Sequence, residues 1–286
     1  MNVDIAAHPC FAQTSRPNSG RIHLPVSPAC NIRCRFCARG ISPDAALPGN
    51  AARVVSPEQA LVILERALKI CPAIRVVGVA GPGDPLATDH AIRTFALIHE
   101  RHPELINCVS TNGLELPRRL PQLVECGIRT LTVTVNAVDS EIQARLCAGV
   151  VRDGRVIEGV AGARLLIAAQ GSGIILAHSL GVTVKVNMVL VPGINDAHVE
   201  AVARSASEWG ASFINIIPLL PAAEFSAFEK PACAAVEAAR AVAERYLPVF
   251  RHCKQCRADA CGIPGVSDHA QELYADFKLV ETFSHG

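Results

Sequence analysis

The sequence predicts an α/β chain: a partial (βα)6, TIM-like barrel with a cysteine-bearing C-terminal extension. Three observations predict it. Short apolar, β-branched runs recur along the chain, each followed by a longer helical pattern, and such alternation gives a parallel sheet with right-handed crossovers. The runs number six rather than eight, which suits an open barrel. After Ile217 the alternation breaks into the Pro-rich stretch PLLPAAEFSAFEKP and then a cysteine-bearing tail.

The predicted strands are residues 22–26, 75–80, 106–110, 130–136, 182–190 and 212–217. Each is almost continuously apolar, as a strand covered on both faces must be. The first helix is predicted over 57–70, where Ser56 supplies a capping oxygen and Pro57 suits the first helical position. Further helices are predicted at 89–100, 117–125, 139–146, 161–179 and 196–209, with Gly127, Gly181 and Gly210 where helices should stop. A last helix is predicted at 234–246. The chain thus divides into an N-terminal segment, 1–20, a core barrel, 21–220, and an extension, 221–286.

Of the 286 residues, 50% are hydrophobic, enough to bury a core without staples. A net charge of +1, no basic run and 4% aromatic residues argue against a nucleic-acid partner. The start, MNVDIAAHPC, lacks the charged and apolar regions of a signal peptide. No apolar run of about 18 residues suggests a membrane span. A cytoplasmic location is therefore expected, and there the 12 cysteines are read as metal ligands, catalytic groups or packing rather than disulfides. Cys71, Cys126 and Cys233 lie among apolar residues and are expected in the core.

Just after the first strand comes CNIRCRFC, placing Cys30, Cys34 and Cys37 at C-x3-C-x2-C spacing. Three thiolates on one tight loop can hold three irons of a [4Fe–4S] cluster and leave the fourth open. S-adenosylmethionine (SAM) can chelate that iron through its amino and carboxylate groups. One electron then breaks a C–S bond, giving methionine and a 5′-deoxyadenosyl radical. A zinc knuckle would instead call for four ligands at paired spacing. The motif marks the radical SAM superfamily, and the barrel is expected to be a radical SAM barrel. In that superfamily a glycine-rich segment after the second strand holds the methionine end of SAM. Here it reads AGPGDP, with Gly81, Gly83 and Asp84, and Asp84 is suited to a charged amine. Asn112 of STNG, Thr134 and Val191 end later strands and complete the expected SAM rim, on the side where parallel α/β chemistry gathers.

Several further segments resemble the NifB family: HPC at His8–Cys10, HLPVSPAC, GVAGPGDPLA, CVSTNGL, TVTVNAVD, VKVNMVLVPGIND, NIIPL and RHCKQCRADA. They follow the family's order and cover most of the chain from His8 to Gly262. The resemblance implies a radical SAM enzyme of nitrogenase FeMo-cofactor biosynthesis. Such an enzyme fuses two auxiliary [4Fe–4S] clusters and inserts a SAM-derived carbide and a sulfide into an eight-iron core. By position, Cys10, His23 and Cys108 would hold one auxiliary cluster, and Cys253 and Cys256 the other. Imidazole and thiolate both bind iron. Cations beside Cys253 and Cys256 (Arg251, His252, Lys254, Arg257) favour the thiolate. A cluster donor and a downstream carrier are the implied partners.

The sequence departs from the family in one loop. ARGISPDAALPGN, after the three-cysteine motif, lacks the cysteine and the following glutamate that relatives carry there. Cys261 stands where a small apolar residue is expected and is read as the substitute, forming a triad with Cys253 and Cys256. Cys147 is a further spare thiol that the pattern does not place. Two other activities remain open at this point: a radical SAM enzyme acting on a peptide or small molecule, and a non-catalytic iron–sulfur scaffold.

Overall fold

In a computed structural model of the chain, the described residues are all but 1–4, 13–17, 39, 42–46, 275–283 and 286. Six parallel strands form the main sheet: β1 (Gly20–His23), β2 (Ile74–Val79), β3 (Ile106–Thr111), β4 (Ile128–Thr134), β5 (Thr183–Leu190) and β6 (Phe213–Pro218). They lie side by side in chain order, in a curled half-barrel. This is the expected fold class. A short antiparallel strand from the extension, Cys261–Gly262, covers the outer edge of β1, which leaves that edge no open ladder.

The helices that cross back between strands are α1 (Pro57–Ile70), α2 (His90–Arg101), α3 (Leu116–Glu125), α4 (Ser140–Leu146), α5 (Gly159–Ser179) and α6 (Val199–Glu208), with α7 (Cys233–Ala243) after β6. Helix α1 shows why these segments fold locally. The Ser56 hydroxyl accepts from Gln59 N, and the Gln59 side chain accepts from Ser56 N, a reciprocal cap that stabilises the helix by about 1 kcal/mol. Its Ala60, Ile63, Leu64 and Ala67 share one face and are fully buried against the sheet. Gly181 and Gly210 follow helices with φ of 72° and 90°, in the left-handed region that closes a helix end.

Three features differ from the sequence reading. Residues 147–158, read as unplaced, form a hairpin, Cys147–Arg152 with Arg155–Glu158, whose first strand also pairs antiparallel with Ile32–Cys34. Asp153 and Gly154 at its tip have φ of 49° and 72°, the turn that Asp-Gly favours. Cys233 is exposed rather than in the core, because the buried face of α7 begins only at Val236. Helix α5 is long and apolar enough, by length and composition, to cross a membrane, although half of its apolar window is buried. Its Ala163, Leu166, Ala169, Ile174 and Ala177 pack inward, so its apolar character reflects a place in the helix layer. Cys71 and Cys126 are buried as expected.

The strands alternate between two destinations, as a period of two requires. Ile22, Val77, Val109, Leu131, Val133, Val184, Val186, Met188, Ile214 and Ile216 enter the core beneath the helices. Arg21 and His23, Cys108 and Ser110, Thr132 and Thr134, Lys185 and Asn187, and Asn215 face the concave side and line one cavity of about 550 Å³.

Candidate functional site

The cavity opens at the C-terminal ends of the strands, where the three-cysteine loop crosses it. Cys30, Cys34 and Cys37 all line it. The loop is held firmly. Ala29 and Cys30 are extended, Ile32–Cys34 pairs with the hairpin, and Cys37 N donates to Cys34 O. Cys147 lies buried against Cys34, its partner across the strands. The hydrogen bond between the two sulfurs holds the Cys34 thiol well up and the Cys147 thiol down.

The AGPGDP segment acts differently from expectation. Ala80, Pro82 and Asp84 line the cavity, while Gly81 and Gly83 do not. Gly83 packs on the cluster loop: a Cβ there would lie 2.0 Å from the Ala29 carbonyl oxygen. Gly83 N donates to Ser27 O and Asp84 N to Ala29 O. The glycines thus serve a close approach between two loops. Asp84 is 3% exposed, and its carboxylate accepts from Leu86 N, the Thr111 hydroxyl and Asn112 N. It anchors the STNG turn while lining the cavity. Asn112, on the rim, then reaches the cluster loop, its amide donating to Asn31 at 2.7 Å.

Thr134 is on the rim as expected, and Gln170 of α5 donates to the carbonyls of both Thr134 and Asn112. Val191 is not on the rim. It is buried in a side cluster with Ala137, Leu146, Leu219 and Phe225, and Val189, two residues earlier, lines the cavity instead. Val191 lies just past the end of β5, where the strand's alternation no longer holds, and its N–H donates to Asn195 Oδ1.

Cys10, His23, Cys108, Cys253 and Cys256 line the same cavity. His23 Nδ1 bonds Arg257 O at 2.9 Å. In the neutral ring that nitrogen is the donor, and Nε2 keeps its lone pair. Burial, aided by nearby Arg21, pushes the His23 pKa down to about 4, so the ring is neutral near pH 7. Gly78 makes room for it, since a Cβ there would meet the His23 ring at 2.9 Å. Burial pushes the Cys108 thiol up to about 12 and raises Cys10; a bound metal would deprotonate either outright. The extension reaches this place because Tyr274 donates to His23 O and Ala260 O accepts from His23 N.

Cys261 does not join Cys253 and Cys256. It pairs with Ile22 in the sheet, is fully buried in the main hydrophobic core and does not line the cavity. Burial, with Cys71 nearby, pushes its thiol up to about 12. Strand pairing turns it away from the mouth, and the triad reading is corrected. Cys261→Ala is expected to leave iron per chain unchanged and to cost about 1 kcal/mol from the lost packing, as iron counting and a melting curve would show. The loop that lacks the family's cysteine and glutamate has residues 39 and 42–46 outside the described residues.

Sequence reasoning missed several cavity residues: Arg21, Gln143, Gln170, Lys185, Asn187 and Asn215. The signal was available for four of them, as polar side chains at alternate positions of otherwise apolar strands. Gln143 and Gln170 come from helices and had no such mark.

The cavity suits a polar, metal-bearing occupant. His8, Arg21, Gln143, Gln170 and Asn215 line it, and each carries a buried nitrogen or oxygen with no partner. Such atoms are costly unless something completes them. Among the described residues no three His, Cys, Asp or Glu side chains converge on a single ion, and thiolates on separate irons of a cluster need not do so. Three thiols on one loop, opening onto unspent polar atoms, fit a [4Fe–4S] cluster with SAM beside it.

Comparison with known proteins agrees with this geometry. Residues 24–168 match the model of the Radical SAM superfamily. A radical SAM methyltransferase from Sphaerobacter thermophilus has a similar fold, with a TM-score of 0.61 and 20% identity over 82% of this chain and 66% of that one. Streptococcus suis SuiB bound to S-adenosylmethionine has a TM-score of 0.60 at 14% identity, covering 84% of this chain and 52% of that one. The chain is 42% identical to the FeMo cofactor biosynthesis protein NifB of Methanocaldococcus jannaschii over 258 residues, 90% of this chain and 86% of that protein. For the NifB of Methanocaldococcus infernus the identity is 40% over 274 residues, 95% and 90% of the two chains. For that of Azotobacter vinelandii it is 34% over 284 residues, 96% of this chain and 56% of the longer relative. Likeness at this level along nearly the whole length makes the chain a member of the NifB family, with a radical SAM domain as its core.

Proposed function

We propose that this chain is the radical SAM enzyme of nitrogenase FeMo-cofactor biosynthesis that fuses two [4Fe–4S] substrate clusters, inserting a SAM-derived carbide and a sulfide to give an eight-iron core. One observation carries the reading: Cys30, Cys34 and Cys37 share a single cavity of about 550 Å³ with Cys10, His23, Cys108, Cys253 and Cys256. A resident SAM cluster and auxiliary substrate clusters would then face each other with no wall between them. The names of the relatives at 34–42% identity point the same way.

Held by Cys30, Cys34 and Cys37, the resident cluster would supply one electron for the lyase-type cleavage of SAM to methionine and a 5′-deoxyadenosyl radical, which becomes 5′-deoxyadenosine by taking a hydrogen atom from the transferred methyl group. The protein's own contribution is placement. Asp84 fixes the Asn112 turn, Asn112 ties that turn to the cluster loop, and Gln170 braces the rim. His23 offers Nε2 to an auxiliary cluster, and a His ligand is more labile than thiolate, which suits a cluster that is consumed. Cys253 and Cys256, on the extension, would hold the second. A second SAM would donate its methyl group. A cluster donor and a downstream carrier complete the cycle, in an anaerobic or well-protected cytoplasm.

The test is anaerobic reconstitution with SAM and reductant. Iron per chain, S-adenosylhomocysteine and 5′-deoxyadenosine are measured, and the product is passed to apo-nitrogenase. Both SAM products and an activated nitrogenase are expected. Only one of the two SAM products, or a modified peptide or small molecule in place of a cluster, would refute the reading.

A further inference from the structure

We infer that Arg21 and Lys185 are built-in counter-charges for anionic iron–sulfur substrate in the cavity. The inference rests on the cluster-fusing reading above and adds two positioning residues to its ligand set.

Both side chains are deeply buried, Arg21 at 6% and Lys185 at 5% exposure, and both line the cavity. Among the described residues neither has a carboxylate within ion-pair distance. The contrast is Arg257, whose guanidinium grips Asp259 at 2.9 Å. The Arg21 terminal nitrogens donate to Gly262 O at 3.1 Å and to Cys256 Sγ at 2.9 Å, while Nε has no partner. The Lys185 ammonium donates to Cys10 O at 2.8 Å and lies 4.7 and 4.8 Å from the centres of the Phe11 and Phe250 rings. Aromatic faces and one carbonyl solvate a cation only in part.

Burying a cation without an anion is costly. Two on facing strands of one cavity point to an anion that arrives later. The surroundings specify its chemistry. Arg21 touches the Cys256 sulfur, Lys185 the Cys10 carbonyl, and Cys10, Cys108 and His23 line the same cavity. Soft sulfur and imidazole donors select iron and sulfide rather than a bare phosphate or carboxylate. A [4Fe–4S] core bound by thiolates is anionic, and its charge and sulfur hydrogen bonds set its potential. Arg21 already makes such a bond to Cys256. Lys185 places its charge beside Cys10. On the ligand assignment above, Arg21 serves the cluster held through the extension and Lys185 the one held through the N-terminal segment.

The experiment uses the full chain, anaerobically reconstituted with iron and sulfide, in wild type, Lys185→Met and Lys185→Arg. Iron is counted, and each cluster's midpoint potential is followed by EPR. The SAM cluster, identified by the change in its signal on adding SAM, reports that each variant is folded. Lys185→Met is expected to lose auxiliary iron, or to keep it at a lower potential, with the SAM cluster unchanged; Lys185→Arg is expected to restore wild-type behaviour. Full auxiliary iron at unchanged potential in Lys185→Met, or a loss that Lys185→Arg does not repair, would overturn the inference alone. A wild-type chain that binds only the SAM cluster would overturn the cluster-fusing reading, and this inference with it.

Discussion

A Cys34→Ala chain is expected to lose the SAM cluster and to make no 5′-deoxyadenosine above the background of the unreconstituted protein. With two thiolates left, the loop cannot hold three irons and leave the fourth for SAM. Cys34 is also held by the fold, paired across strands with Cys147 and bonded through its carbonyl to Cys37 N. Cys233→Ala is the control, since its thiol is exposed and lies outside the cavity. Iron counting, the EPR signal with and without SAM, and product chromatography read the outcome. A Cys34→Ala chain that still cleaves SAM would mean that the catalytic cluster is held elsewhere.

Asp84→Ala is expected to have the second-largest effect, and the first sign is lost stability. The substitution leaves two backbone N–H groups, of Leu86 and Asn112, and the Thr111 hydroxyl without their acceptor, all in buried surroundings. At roughly 1–3 kcal/mol for each orphaned group, with partial relaxation, the cost is about 3–5 kcal/mol. For a chain of this size that lowers the melting temperature by on the order of 10 °C. Function should suffer beyond that. Asn112 would lose the bond that sets its turn, and through Asn31 the cluster loop would lose a brace. SAM affinity, measured by equilibrium binding at a temperature where the variant is folded, is expected to fall at least tenfold. Asp84→Asn, which keeps one acceptor oxygen, is expected to fall between. Wild-type melting in Asp84→Ala would show that these donors find other partners.

The structure also explains where local reasoning misplaced a residue. In AGPGDP, Gly83 admits the Ala29 backbone and Gly81 that of Gly49, and the Asp84 carboxylate accepts from Thr111 and Asn112. A sequence shows that glycine permits close approach, not what approaches. Val191 lies one residue past the end of β5, so the strand's alternation does not carry it to the rim and it is buried in a side cluster. Cys261 failed because proximity in sequence to Cys253 and Cys256 says nothing about which way a short strand turns its side chain.

By itself the sequence determined the six βα units, the capping of α1, and the three-cysteine loop, because these depend on period, end signals and spacing within a few residues. The family's motif order also pointed to Cys10, His23, Cys108, Cys253 and Cys256, which share the cavity despite being up to hundreds of positions apart. Only the tertiary structure decided that Cys261 belongs to the core, that Cys147 backs Cys34, and that Arg21 and Lys185 line the cavity with no carboxylate at ion-pair distance among the described residues. The physical reason is that pattern reports which face of an element is buried, whereas the curl of the sheet decides what it is buried against.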